Sequence, residues 1–111
     1  MIDQIRPSGL DAWIQAQSGV AVVLDVREPV ELRAASIQAQ GFELVTIPMK
    51  EIPARLAELD PTRPVACLCH HGARSQRVAL YLASNGFDQL ANIAGGIDAW
   101  SMERDPGVPR Y

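Results

Sequence analysis

Seven consecutive residues combine the groups needed for nucleophilic sulfur chemistry. They are Cys69, His70, His71, Gly72, Ala73, Arg74 and Ser75. An apolar run at residues 65–68 precedes this cysteine loop (residues 69–75), and a helical pattern at residues 78–82 follows it. The sulfur is therefore expected where a strand ends and a helix begins. Backbone N–H groups lack internal partners there and the helix dipole is positive, so an anionic sulfur is stabilised. The pattern predicts that Cys69 is a nucleophile.

The rest of the cysteine loop is predicted to bind an anion. Backbone N–H groups from His70 to Ser75, Ala73 included, are expected to donate to a negatively charged sulfur. Gly72 allows the chain to turn with a positive φ. Arg74 either fastens the loop through an acidic residue or points at the substrate. Ser75 is predicted to be the N-cap of the following helix.

The remaining thiol and imidazole groups leave alternatives open. Cys67 is either a small buried strand residue or a resolving thiol for Cys69. His70 and His71 either hold charge and move protons, or are exposed residues whose backbone matters more than their rings. These four residues are all the cysteines and histidines of the chain. Neighbours on a strand and a tight loop cannot all face one tetrahedral centre, so we expect no metal and no other cofactor.

Composition limits the class of protein. A chain of 111 residues with 48% apolar residues fits one domain, residues 1–111, with a modest core. A net charge of -3 gives no basic surface, so nucleic acid is not an expected partner. The apolar runs are too short to span a membrane, and the first residues lack a signal-peptide pattern. We therefore expect a cytoplasmic protein with no membrane partner, in which the thiols are reduced.

Strand and helix patterns alternate along the chain. Strands are predicted at residues 4–6, 20–24, 44–47, 65–68 and 90–93. Helices are predicted near residues 10–14, 28–35, 52–59, 75–85 and 97–102. This order predicts an α/β fold with a central parallel sheet and helices on both faces. The site should lie at the carboxyl ends of the strands, where Asp25, Pro48 and Cys69 fall.

Three motifs carry a family resemblance. Residues 24–29 read Leu-Asp-Val-Arg-Glu-Pro and resemble the early D-V-R-E motif of the rhodaneses. Residues 69–75 resemble the active-site loop of that family, and residues 95–100, Gly-Gly-Ile-Asp-Ala-Trp, resemble its closing motif. The motifs occur in the right order over nearly the whole chain. The chain is identified as a member of the single-domain rhodanese family, the rhodanese-like sulfurtransferases.

The resemblance implies a rhodanese-like fold and a thiosulfate sulfurtransferase-like enzyme. Cys69 would take a sulfane sulfur from a donor such as thiosulfate or a low-molecular-weight persulfide, forming a cysteine persulfide. A thiol or cyanide would then accept the sulfur, and a protein acceptor is the open alternative. Asp25 and Arg27 are placed near the cysteine loop as supporting residues, with a surface ion pair as the alternative. Trp100 is expected to pack in the core.

Two other functions compete with sulfur transfer. Cysteine-dependent phosphatases and arsenate reductases also combine a cysteine, a loop and an arginine, but with five residues in between. Four residues separate Cys69 from Arg74, and the smaller loop suits one sulfur better than a tetrahedral oxyanion. The second alternative is a non-enzymatic rhodanese-like interaction or sulfur-carrier module. Such modules usually lack the cysteine, which is present here.

Overall fold

The central sheet positions the cysteine loop. The computed structural model describes residues 2–111, and its strands form one five-stranded parallel sheet. The strands are β1 (Ile2–Ile5), β2 (Val22–Asp25), β3 (Glu43–Thr46), β4 (Val65–Leu68) and β5 (Leu90–Ile93). Their order across the sheet is β1-β5-β4-β2-β3, so β4 lies in the centre. Every residue of β2, β4 and β5 is buried, as expected for parallel strands covered on both faces.

Helices cover both faces of the sheet. They are α1 (Leu10–Ala16), α2 (Pro29–Ala34), α3 (Ile52–Arg55), α4 (Ala73–Ala83) and α5 (Gly96–Glu103). One half of the core contains apolar residues of α1 and α5, among them Trp13 and Trp100. The other half contains residues of α3 and α4, among them Ile52 and Leu82. The predicted α/β fold, a parallel sheet with helices on both faces, is confirmed, and Trp100 packs in the core as expected.

Element boundaries follow the predictions closely, with local differences. β4 and β5 have the predicted bounds, whereas β1 begins at Ile2 and leaves Arg6 outside the strand. The predicted helix at residues 52–59 is α-helical only as far as Arg55 and continues as a 3-10 turn, Leu56–Glu58. Such short 3-10 turns are a common way for a helix to end. No helix within residues 2–111 has the length and apolar character needed to cross a membrane.

Candidate active site

Cys69 lies directly after the central strand. β4 ends at Leu68, and the Cys69 side chain is buried, with 1% of the residue exposed. The backbone N–H of Gly72 donates to Cys69 Sγ at 3.0 Å. The Ser75 hydroxyl lies 3.2 Å from the same sulfur. The sulfur is thus held between a backbone dipole and a hydroxyl, and both can donate to it when it carries negative charge.

Gly72, not Ser75, is the N-cap of α4. Its φ is 111°, a left-handed conformation that glycine adopts without steric cost, and α4 begins at the next residue. A Cβ at this position would also lie 3.4 Å from the Gly95 nitrogen. The prediction that Ser75 caps the helix is therefore wrong. Because Gly72 turns the chain earlier than expected, Ser75 lies inside the first turn, where its hydroxyl faces the sulfur.

Polar side chains on the neighbouring strands β5 and β1 orient the Ser75 hydroxyl. Besides Cys69 Sγ, its oxygen lies 2.5 Å from Asn92 Oδ1 and 3.2 Å from the Gly72 carbonyl. Asn92 Nδ2 donates to the Gly72 carbonyl at 3.1 Å and to Gln4 Oε1 at 3.0 Å, which turns Oδ1 toward Ser75. A hydroxyl has one proton to give. Ser75 therefore donates to Asn92 while the sulfur is a thiol, and it can rotate to donate to a thiolate.

The first turn of α5 fixes the backbone of the cysteine loop. The N–H of Ile97 donates to the Cys69 carbonyl at 2.9 Å, and the N–H of Asp98 donates to the His70 carbonyl at 3.2 Å. Gly96 has a φ of 59° and packs so tightly that a Cβ there would collide with both carbonyl oxygens. The glycine pair that begins this helix therefore provides the close approach that positions Cys69.

Arg74 fastens the cysteine loop to α2. Its two terminal nitrogens donate to the two carboxylate oxygens of Glu31 at 2.6 and 2.8 Å. Glu31 also accepts hydrogen bonds from the Glu28 N–H at 3.0 Å and the Tyr111 hydroxyl at 2.7 Å. The Arg74 hydrogen bonds, with help from Glu28 and Tyr111, lower the pKa of Glu31 to about 2 despite partial burial. Of the two predicted roles of Arg74, the structure shows the anchor.

Asp25 and Arg27 form a buried ion pair beside the loop. Arg27 is 0% exposed and Asp25 is 1% exposed. Arg27 donates from Nε to Asp25 Oδ1 at 2.9 Å and from Nη2 to Oδ2 at 2.8 Å. Burial lowers the pKa of Arg27, but its hydrogen bonds to Asp25 and Tyr111 outweigh that effect and hold the pKa above its usual value. The alternative of a surface ion pair is therefore wrong, since the pair is inside the protein.

The two histidines occupy different positions on the loop. The His70 ring lies parallel to the Tyr111 ring, with centroids 4.0 Å apart and planes 6° apart. The His71 ring contacts the His70 ring at 3.9 Å, and His71 is exposed. His70 Nε2 is shielded from solvent and has no hydrogen-bond partner within residues 2–111. His70 is therefore packed against the site, whereas His71 is at the surface.

Comparison with known proteins identifies the family. The sequence profile of the rhodanese-like domain matches residues 7–103. The chain belongs to the rhodanese-like domain family. A sulfurtransferase of Allochromatium vinosum is 33% identical over 110 residues, which cover 97% of this chain and 96% of that protein. The family match and this relative place the rhodanese-like chain in a sulfurtransferase-type family.

Two further matches agree with this family assignment. The chloroplastic rhodanese-like/PpiC domain-containing protein 12 of Arabidopsis thaliana is 39% identical over 95 residues, 82% of this chain. The match spans only 30% of that longer protein. The crystal structure of a rhodanese-like domain protein from Staphylococcus aureus superimposes with a TM-score of 0.75 at 29% identity, covering 99% of both chains. The rhodanese-like fold predicted from the motifs is thereby confirmed.

Cys67 has the environment of a structural residue in this rhodanese-like domain. It is fully buried in β4, forms no disulfide, and lies among apolar residues of the core. Burial, with a smaller effect of Cys69, raises the pKa of the Cys67 thiol to about 12. The prediction of a small buried strand residue is confirmed.

Sequence reasoning missed three residues that the structure brings to the site. Asn92 carried a signal, because it is a polar residue within the apolar run of β5. Glu31 also carried one, because it follows Glu28 by three residues at the start of a predicted helix, the spacing of an N-terminal capping pattern. Tyr111 carried none, since it lies far along the chain from the loop and follows no periodic pattern.

Proposed function

We propose that this protein is a sulfurtransferase that carries the transferred sulfur as a persulfide on Cys69. The observation that supports it is the placement of Sγ at the carboxyl end of β4, with the Gly72 N–H at 3.0 Å and the Ser75 hydroxyl at 3.2 Å. A thiolate is the reactive form of cysteine, and both groups stabilise it. Membership of a sulfurtransferase-type family supports the same reaction.

The proposed reaction has two displacement steps. The Cys69 thiolate attacks the sulfane sulfur of the donor, a new S–S bond forms, and the donor leaves with the electrons of the broken bond, as sulfite when the donor is thiosulfate. A thiolate or cyanide acceptor then attacks the outer sulfur, and Cys69 leaves as a thiolate. As charge develops on Sγ, the Ser75 hydroxyl rotates from Asn92 toward the sulfur, while the Gly72 N–H keeps its place.

The charges around the loop favour an organic persulfide over thiosulfate as the donor. Three arginines near the loop are each bound to a carboxylate: Arg27 to Asp25, Arg74 to Glu31 and Arg110 to Asp98. The thiosulfate dianion therefore meets little uncompensated positive charge at the entrance. The sulfane sulfur of a thiol persulfide needs less positive charge to bind.

A cysteine-dependent phosphatase fits the site less well. Such an enzyme needs an arginine to bind the oxyanion, and both terminal nitrogens of Arg74 are bound to Glu31. Four residues between Cys69 and Arg74 also give a short loop. We therefore expect pure protein to hydrolyse aryl phosphates negligibly.

Intact-mass measurement tests the sulfur-transfer proposal directly. Wild type is incubated with thiosulfate or with glutathione persulfide, and we expect a gain of one sulfur atom that cyanide removes. Cys69→Ala should gain none, because it lacks the nucleophile. Cys67→Ala is the matched control: it removes the other buried thiol and should still gain the sulfur. Absence of the added sulfur in wild type with both donors, or its presence in Cys69→Ala, would contradict the proposal.

A further inference from the structure

Tyr111 lies against the cysteine loop and joins two charged residues. Its hydroxyl accepts a hydrogen bond from Arg27 Nη1 at 3.0 Å and donates one to Glu31 Oε2 at 2.7 Å. Its ring stacks on the imidazole of His70, the residue that follows Cys69. One phenol therefore contacts the β2–α2 connection, α2 and the cysteine loop at once.

The segment that carries Tyr111 (residues 104–111) is itself fastened to α5. Val108 is buried, and its carbonyl accepts a hydrogen bond from Ser101 Oγ at 2.5 Å. Arg110 donates from Nε to Asp98 Oδ1 at 2.8 Å and from Nη2 to Asp98 Oδ2 at 3.2 Å. These contacts hold the phenol over the loop, and the same helix fixes the loop backbone through the N–H of Ile97.

The hydrogen bonds of Arg27 show what the phenol occupies. Nε and Nη2 are directed to Asp25, and Nη1 reaches the Glu31 carbonyl at 3.3 Å and the Tyr111 hydroxyl at 3.0 Å. Without the hydroxyl, Arg27 Nη1 would keep only its 3.3 Å contact to the Glu31 carbonyl. Glu31 would still accept from Arg74 and from the Glu28 N–H. The group left short of a partner is the cation, and the partner it would take is an anionic oxygen.

We propose that Tyr111 is a specificity-determining residue, whose hydroxyl blocks the Arg27 N–H from binding an oxygen of an inorganic sulfur donor. Because Cys69 is buried, a donor has to pass the groups that surround the loop. The phenol makes this entrance neutral and aromatic, which suits a thiol-borne sulfane sulfur and disfavours the thiosulfate dianion. The inference rests on the proposed sulfur transfer and names the class of donor that the site selects.

A pair of small donors isolates the effect of charge. Thiosulfate carries two negative charges, whereas methanethiosulfonate has a methyl group in place of one charged oxygen and carries a single charge. Tyr111→Phe keeps the ring on His70 and removes only the hydroxyl. We expect the KM for thiosulfate to fall about three- to tenfold in Tyr111→Phe, the gain from one added hydrogen bond to a charged group in competition with water. The KM for methanethiosulfonate should fall less, because its sulfonyl oxygens share a single negative charge and accept a hydrogen bond more weakly.

Tyr81→Phe is the matched control. Tyr81 is the only other tyrosine of the chain and lies on α4 beside an apolar groove lined by Met49, Ile52 and Val78. Its KM values should equal those of wild type. An equal change for both donors in Tyr111→Phe, or a higher KM for thiosulfate, would overturn the inference.

A binding measurement separates this inference from the proposed function. In the Cys69→Ala background no sulfur is transferred, so thiosulfate affinity can be measured by calorimetry with and without Tyr111→Phe. We expect tighter binding when the hydroxyl is absent. Absence of sulfur transfer in wild type would contradict the proposed function and leave this comparison informative. Unchanged or weaker thiosulfate binding in the double variant would overturn the role of Tyr111, even if the enzyme transfers sulfur.

Discussion

The Arg74–Glu31 ion pair anchors the cysteine loop to α2, so the stability of the protein depends on the Glu31 carboxylate. Glu31→Gln tests this dependence. The hydrogen bonds from Arg74, together with those from Glu28 and Tyr111, lower the pKa of Glu31 from 4.5 to about 2. Each unit of difference between the folded and unfolded pKa is about 1.4 kcal/mol, which gives an upper value of about 3 kcal/mol. The Glu31 side chain is 16% exposed, so solvent screening is limited, and we expect about 2 kcal/mol.

The sign of the pH dependence follows from the direction of this pKa change. A carboxyl group whose pKa is lower in the folded protein stabilises it fully above the unfolded pKa. That stabilisation is lost as the pH falls from 4.5 toward about 2, because over this range the unfolded state binds a proton that the folded state does not. Glutamine cannot titrate, so the difference in the free energy of unfolding between wild type and Glu31→Gln should shrink over the same pH range.

Urea unfolding at several pH values between neutrality and pH 2.5 measures this difference. Glu58→Gln is the matched control, because Glu58 is an exposed partner of Arg55 on the same protein. Exposed ion pairs contribute little, so this variant should stay close to wild type throughout. A Glu31→Gln deficit that does not change with pH, or one no larger than that of Glu58→Gln, would refute the reasoning. Slower persulfide formation should accompany the deficit, because the loop loses its anchor.

Two further outcomes test the packing around Cys69. Gly96→Ala should lower the free energy of unfolding, measured in urea, by about 2–3 kcal/mol and slow persulfide formation, because its Cβ meets the carbonyls of Cys69 and His70. Gly9→Ala, whose Cβ meets nothing within 4 Å, should be nearly neutral. Equal stability of the two variants would contradict the packing argument. At pH 8 iodoacetamide should label Cys69 and leave Cys67 unmodified in the folded protein, because burial raises the pKa of Cys67 to about 12. Peptide mapping that finds equal labelling of both cysteines would show that the environment of Cys67 is described wrongly.

The sequence predicted the sheet well because buried parallel strands leave a strong local signal. β4 and β5 are short apolar runs between turn residues, and their bounds were predicted correctly. The position of Cys69 followed from the same pattern, since it comes directly after β4. The start of α4 was predicted wrongly. Ser75 is a favoured N-cap residue by type, but the left-handed Gly72 takes that position and turns the serine toward the sulfur.

Local sequence patterns could not predict the contacts between segments that are distant along the chain. Asn92 is recognisable as polar in an apolar strand, but its position beside Cys67 depends on the β4–β5 pairing. The pairing of Arg74 with Glu31 joins residues 43 positions apart, and Tyr111 reaches Glu31 across 80 positions. These contacts arise from tertiary packing, which no periodicity encodes. Sequence motifs therefore predicted where Cys69 and its loop lie, whereas the groups that position the loop and cover it required the structure.

In the proposed sulfur transfer, the pairing of nearby charges determines which groups stabilise the Cys69 sulfur. Arg27 and Arg74 are each bound to a carboxylate, so the groups that directly contact Cys69 Sγ are neutral: the N–H of Gly72 and the hydroxyl of Ser75. A full positive charge beside the sulfur would hold a thiolate strongly and so weaken it as a nucleophile. Neutral dipoles stabilise the anion less, and one of them can turn back to Asn92 when the charge moves to the outer sulfur. Sulfur transfer needs the same atom to be nucleophile in one step and leaving group in the next, and a neutral, rotatable donor set serves both.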